Sequence, residues 1–200
     1  MVSAIEKNLE ITNEKMKDDH KIRSKAHIKR HNNAFQFMKR HIKSYKEEPI
    51  LDIGCRDGHM LEILQENGYK DLSGIDIIPN PLKQLKNISY YKCDANDMSI
   101  LFNDETFSVV ILSHVLEHIE EPQKALNEIH RILKPNGILF IEIPLESEIK
   151  PEVGHFSYFK KPTHLYKITN GFGVLDEYHD IKKREALVTR VWFRVIMEKE

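Results

Sequence analysis

Four short segments of this chain hold side chains whose types and spacing suit chemistry. The first is Asp52-Ile53-Gly54-Cys55-Arg56-Asp57-Gly58. Its glycines let the backbone turn tightly and come close to a ligand. It runs straight into a helical pattern, whose N-terminus attracts a carboxylate or phosphate. The second is Asp76, 22 residues beyond Gly54, an acid placed to take both hydroxyls of a ribose. The third is Asp94, whose carboxylate suits the exocyclic amine of an adenine. The fourth is Ser113-His114-Val115-Leu116-Glu117-His118, two imidazoles around a carboxylate. Cys55 and Cys93 read as small apolar fillers rather than nucleophiles. A nicotinamide site would want G-x-G-x-x-G, and Gly54 and Gly58 are instead four apart.

Strands must carry these segments. From Ile50 onward short apolar runs alternate with amphipathic helices, the pattern of an α/β layer fold. Strands are predicted at Ile50 to Ile53, Leu72 to Ile77, Ile88 to Cys93, Phe107 to Leu112 and Ile138 to Ile143. Pro79 and Pro81 end the second, and the fourth is continuously apolar, as a strand buried on both faces should be. Helices are predicted from Asp57 to Asn67 and from Pro122, with Ala125, Leu126, Ile129, Ile132 and Leu133 at helical spacing. Lys134-Pro135-Asn136-Gly137 stops the latter. Phe172 to Ile181 and Val188 to Met197 are two further strand candidates. Ligands of an open parallel sheet bind beyond the carboxyl ends of its strands. The four chemical segments follow the first four strands in order.

The same placement tests a metal reading of the fourth segment. His114-x-x-Glu117-His118 is the spacing of two zinc ligands with a glutamate acting on water, as in a zinc hydrolase. That chemistry needs both histidines inside one helix. Here His114 follows directly on an apolar strand, and the helix starts only near Pro122. The sequence therefore assigns no metal.

Composition bounds the rest. The 200 residues suffice for one ordinary domain with a short appendage. Apolar residues make up 40% and charged residues 30%, with a net charge of -1. That is too apolar for a disordered chain and too polar for a membrane protein. Runs such as Val109 to Leu112 are far shorter than a membrane span. Met1 to Glu10 lacks the apolar stretch of a signal peptide, and two cysteines make no disulfide framework. A cytoplasmic chain with no membrane partner is expected. The charge is uneven: Lys21 to Lys46 holds nine Lys or Arg and no Asp or Glu, leaving -10 for the remainder. Residues 1–48 read as a basic, solvated helical lead-in, and 49–200 as the main domain. The alternative for 21–46 is a contact surface for an anionic substrate or nucleic acid, though no nucleic-acid motif is present.

Leu51 to Leu61, Gly74 to Asp76, Lys92 to Asp94, Phe107 to Pro122 and Ala125 to Pro144 together resemble the motifs of class I S-adenosylmethionine-dependent methyltransferases. The nearest likeness is to the type 11 and type 23 small-molecule group. The resemblance implies a Rossmann-like seven-stranded sheet, its last strand antiparallel beside the fifth, with flanking helices. It implies S-adenosyl-L-methionine as cofactor and S-adenosyl-L-homocysteine as product. Asp52, Gly54 and Gly58 would form the loop under the methionine moiety. Asp76 would bind the ribose and Asp94 the adenine, Cys55, Ile77 and Ala95 would be further cofactor-binding residues, and Ser113 and His114 would border the methionine end. His155, Tyr158, His164 and Tyr166 fall where the family meets its methyl acceptor. His164 is the first general-base candidate and His118 the second. Two departures stand out. Arg56 replaces the middle glycine of the loop, and only Lys167 to Gly171 separates Thr163–Tyr166 from the sixth strand, where the family has a full helix. The shortened face leaves room for a partner subunit, so a homodimer is one expectation. An inactive cofactor-binding protein of the same fold is the alternative function.

Overall fold

The computed structural model describes residues 24–77, 86–145, 154–183 and 189–200, of which 181–183, 189 and 190 are described by their backbone alone. The helical reading of 1–23, the stops at Pro79 and Pro81, and Val188 lie outside them. The elements are α1 (Lys25–Ile42), β1 (Ile50–Ile53), α2 (His59–Glu66), β2 (Leu72–Asp76), β3 (Ile88–Lys92) and β4 (Phe107–Ser113). A 3-10 turn (Leu116–His118), α3 (Pro122–Ile132), β5 (Leu133–Leu145), α4 (Pro162–Tyr166), β6 (Phe172–Lys183) and β7 (Thr189–Lys199) follow.

The seven strands form one sheet in the order β3-β2-β1-β4-β5-β7-β6. β1 to β5 pair in parallel, and β7 runs antiparallel between β5 and β6. This is the Rossmann-like sheet that the resemblance implies. Successive strand residues point to opposite faces, so each apolar run feeds two cores. Val110 and Leu112 join Leu51, Ile53, Leu139 and Ile141 on the α3 face. Val109 and Ile111 join Ile50, Ile138, Phe140 and Ile196 on the α1 and α2 face. That division explains why β4 shows no polar alternation.

α1 belongs to the second core through Ala34, Phe35, Met38 and Ile42, all at most 1% exposed. Ser24 caps it, its hydroxyl accepting from His27 N. The basic stretch is thus solvated on one side only. The fifth strand also differs from expectation. It begins at Leu133, which pairs with Phe107, and pairing then resumes at Ile138 with Val109. Lys134 to Gly137 therefore stops the helix as read, yet bulges out of a strand instead of standing as a loop. Among the described residues between β5 and β6 the chain builds only the five-residue α4, and Phe159, Leu165 and Phe172 cover that part of the core. No helix among the described residues is long and apolar enough to cross a membrane.

Candidate functional site

The glycine loop closes over the end of β1. Gly54 N and Cys55 N both donate to the Ile75 carbonyl, at 2.8 and 3.0 Å, which ties the loop to β2. Gly54 has φ +72°, and a Cβ there would lie 2.2 Å from Val115 Cγ2. Gly58 has φ +74°, and its Cβ would meet Tyr90 Oη at 2.6 Å. Both positions therefore require glycine. Arg56 adopts φ +41° without being glycine, and its N donates to Asp76 Oδ2 at 2.9 Å. The substituted loop keeps the left-handed turn, and Asp76 is held at the tip of β2. Asp52 is 4% exposed beneath the loop. Burial, then Asp76 and Asp57, push its carboxyl well up. Burial likewise pushes the Cys55 thiol up, consistent with an inert filler.

After β3, Asp94 Oδ1 accepts from Asn96 N at 2.9 Å, Ala95 is buried, and Ile77 is half-buried just past β2. After β4 the chain turns sharply. His114 has φ +56°, a strained value for a non-glycine residue. Its Nδ1 lies 3.1 Å from Glu117 Oε1, and its ring packs edge-on against Trp192 at 4.4 Å. Burial, the dominant cause, lowers its pKa to about 3, so the ring is neutral. Ser113 Oγ donates to Glu142 Oε2 at 2.8 Å. The zinc-hydrolase reading fails on this turn. His114 sits outside the 3-10 turn that holds His118, so the two rings do not share a helix face. His118 Nδ1 instead donates to the Gly154 carbonyl at 2.8 Å, and its ring meets His155 at 4.9 Å. His164 is half-buried on α4.

Sequence reading missed two groups. On α1 the stripe His27, Arg30, His31 turns inward toward α2. The His27 and His31 rings meet at 4.3 Å, tilted by 47°, and both stack with His59, at 5.7 and 5.3 Å. His27 Nε2 lies 3.8 Å from Asp57. The Arg30 guanidinium lies 6.0 Å from the Trp192 ring. Burial lowers its pKa, against the pull of Glu142 and Glu117. The second group is the ion pair Glu142–Arg194, 2.7 Å apart with the residues 0% and 2% exposed. Its signal was in the sequence: one Glu inside an apolar strand and one Arg inside another.

The histidine stripe gives a pH prediction. Burial lowers the His27 pKa from 6.5 to about 4, and lowers His31 too. The unfolded chain then binds protons that the folded chain refuses, so stability present above about pH 6.5 is lost as pH falls toward 4. Each such ring contributes up to about 1.4 kcal/mol per pH unit. Melting temperature should fall by about 5 °C or more between about pH 7.5 and pH 5. A His27→Gln/His31→Gln double variant should lose much of that drop, and an equal drop would refute this cause.

Residues 19–172 match the family described as a methyltransferase domain. The chain belongs to this family. It is 37% identical over 124 residues to an uncharacterized protein of Methanocaldococcus jannaschii, covering 60% of this chain and 52% of that one. It is 29% identical over 123 residues to the ubiquinone biosynthesis O-methyltransferase of Colwellia psychrerythraea, covering 52% of this chain and 49% of that one. The chain thus spans about half the length of these curated relatives. Among solved structures it resembles the N-methyltransferase NodS of Bradyrhizobium japonicum, crystallised with S-adenosylhomocysteine. The TM-score is 0.74 at 18% identity, over 96% of this chain and 98% of that one, a likeness of fold. The cofactor of this methyltransferase family is S-adenosylmethionine, and the residues present fit it. The glycine cradle is tight, Asp76 is fixed at the second strand end, and Arg30 Nε and His31 Nδ1 are buried with no hydrogen-bond partner among the described residues.

Proposed function

We propose that this methyltransferase moves a methyl group to an oxygen or nitrogen of a small-molecule acceptor. The observation that carries the reading is positional. The glycine loop, Asp76, Asp94 and the Ser113–His118 turn follow the ends of four neighbouring parallel strands, where such a sheet binds ligands. In this reading Asp52, Gly54 and Gly58 form the loop under the methionine moiety. Asp76 takes the ribose and Asp94 the adenine, Cys55, Ile77 and Ala95 are further cofactor-binding residues, and Ser113 and His114 border the methionine end. Arg30 and His31 add donors for the carboxylate, which sequence reading did not foresee. When bound, the cofactor supplies a methyl group already activated on a sulfonium. The chain must then align the acceptor and exclude water. A hydroxyl acceptor also needs a base; a neutral histidine suits that near pH 7, and His164 is the first candidate, His118 the second. Relatives named as an O-methyltransferase and an N-methyltransferase support either acceptor atom. The inactive alternative rested on Arg56 and the shortened helix. Its first support weakens, because Arg56 keeps the loop's turn.

Calorimetry with S-adenosylhomocysteine, followed by an acceptor screen weighted to hydroxylated small molecules, tests the proposal. His164→Ala should bind the cofactor normally and lose turnover by about 10²-fold or more. Normal turnover would remove His164 from the mechanism, and absence of binding would sink the reading whole.

A further inference from the structure

Glu117, His118 and His155 each offer one possible ligand atom, and these three atoms all lie within 4.8 Å of one another. We propose that these three residues hold a divalent first-row transition-metal ion beside the methyl-transfer site. Two imidazoles and one carboxylate are a donor set such ions accept. Ligand distances near 2.1 Å require each group to move by only roughly 1 Å.

Three observations support a built site. Glu117 Oε2 is buried and hydrogen-bonds to nothing among the described residues, in a residue that is 2% exposed. A buried carboxylate oxygen left unsatisfied is costly and needs an explanation; a cation supplies one. Second, the ligands are oriented from behind. Glu117 Oε1 accepts from His114 Nδ1, and His118 donates from Nδ1 to the Gly154 carbonyl. A neutral His118 so bonded carries its lone pair on Nε2, the arrangement that aims metal-bound histidines. Third, the loop bearing His155 is pinned to the turn bearing the other two. Phe156 N and Ser157 N donate to the Glu117 carbonyl at 2.8 and 3.1 Å, and Ser157 Oγ donates to the Ile119 carbonyl at 2.8 Å.

Three protein ligands leave coordination positions open, as catalytic sites do and closed structural sites do not. An acceptor oxygen in one of them would be oriented and made more acidic. This last role rests on the methyl-transfer reading; the site itself does not.

The test uses the full chain stripped of metal by a chelator and titrated with Co²⁺ and Zn²⁺, followed by calorimetry and Co²⁺ absorption. About one ion per chain is expected, with His155→Ala and Glu117→Gln each weakening binding at least about tenfold. His155→Ala guards against misfolding of the buried Glu117 variant, and S-adenosylhomocysteine thermal shift reports that it is folded. Failure of the wild type to bind Co²⁺ or Zn²⁺, or equal binding by both variants, overturns the site. Metal uptake without any response to S-adenosylhomocysteine would instead overturn the methyl-transfer reading and leave the site standing.

Discussion

Asp76→Ala should abolish the rise in melting temperature that S-adenosylhomocysteine gives the wild-type chain. At a ligand concentration of about 100 Kd, binding stabilises the folded state by about 2.7 kcal/mol, a shift of about 5–10 °C for a domain of this size. A carboxylate that takes two ribose hydroxyls makes two charge-assisted bonds, each worth about 1.5–3 kcal/mol. Losing both weakens binding at least about a hundredfold, leaving about 0.4 kcal/mol, a shift near 1 °C. Asp76 also accepts from Arg56 N, so alanine would release the loop as well as a ribose held there. Asp76→Asn separates the two effects, since its carbonyl oxygen still suits Arg56 N while the charge is gone. An Asn variant that binds as weakly as Ala shows that charge on the ribose dominates. An unchanged shift in the Ala variant would mean that the ribose lies elsewhere.

The place of Asp76 at the end of β2 was legible because it depends on chain order. An acid one helix and one strand after a glycine loop can be placed without tertiary knowledge, and the positions of Asp52, Gly54 and Gly58 were readable in the same way. Arg30 was not. In Lys21 to Lys46 every cation contributes alike to the count, while only the packing of Ala34, Phe35 and Met38 decides which side of α1 faces the sheet. Once that side is fixed, helical spacing turns His27, Arg30 and His31 inward. His118 and His155 stand 37 positions apart and meet because backbone bonds from Phe156 and Ser157 draw their loop onto Glu117. No local pattern encodes that approach. The bulge at Lys134 to Gly137 escaped for a related reason: Pro-Asn-Gly reads as a turn, and strand pairing on either side of it depends on β4.

The buried pair Glu142–Arg194 should show the largest stability effect in the chain. The two residues lie directly opposite on β5 and β7, on the face that α1 covers. Asp180 stands 3.6 Å from the guanidinium, and Ser113 holds the second carboxylate oxygen. Removing one partner of a buried pair leaves the other charge uncompensated, at a cost of about 3–5 kcal/mol. Glu142→Gln, nearly isosteric, should therefore lower the melting temperature by about 10 °C. Replacing both partners by apolar residues of similar size, Glu142→Leu with Arg194→Met, should recover most of that loss. Chemical denaturation of the two single variants and the double variant measures the coupling directly. A Glu142→Gln variant within about 1 kcal/mol of wild type would show that Asp180 alone neutralises Arg194. The recovered double variant then isolates function from stability. Ser113 has lost its acceptor and His114 the carboxylate 3.7 Å from its Nε2, so cofactor affinity should fall although the fold is restored. Full affinity in that variant would show that the pair serves the sheet alone.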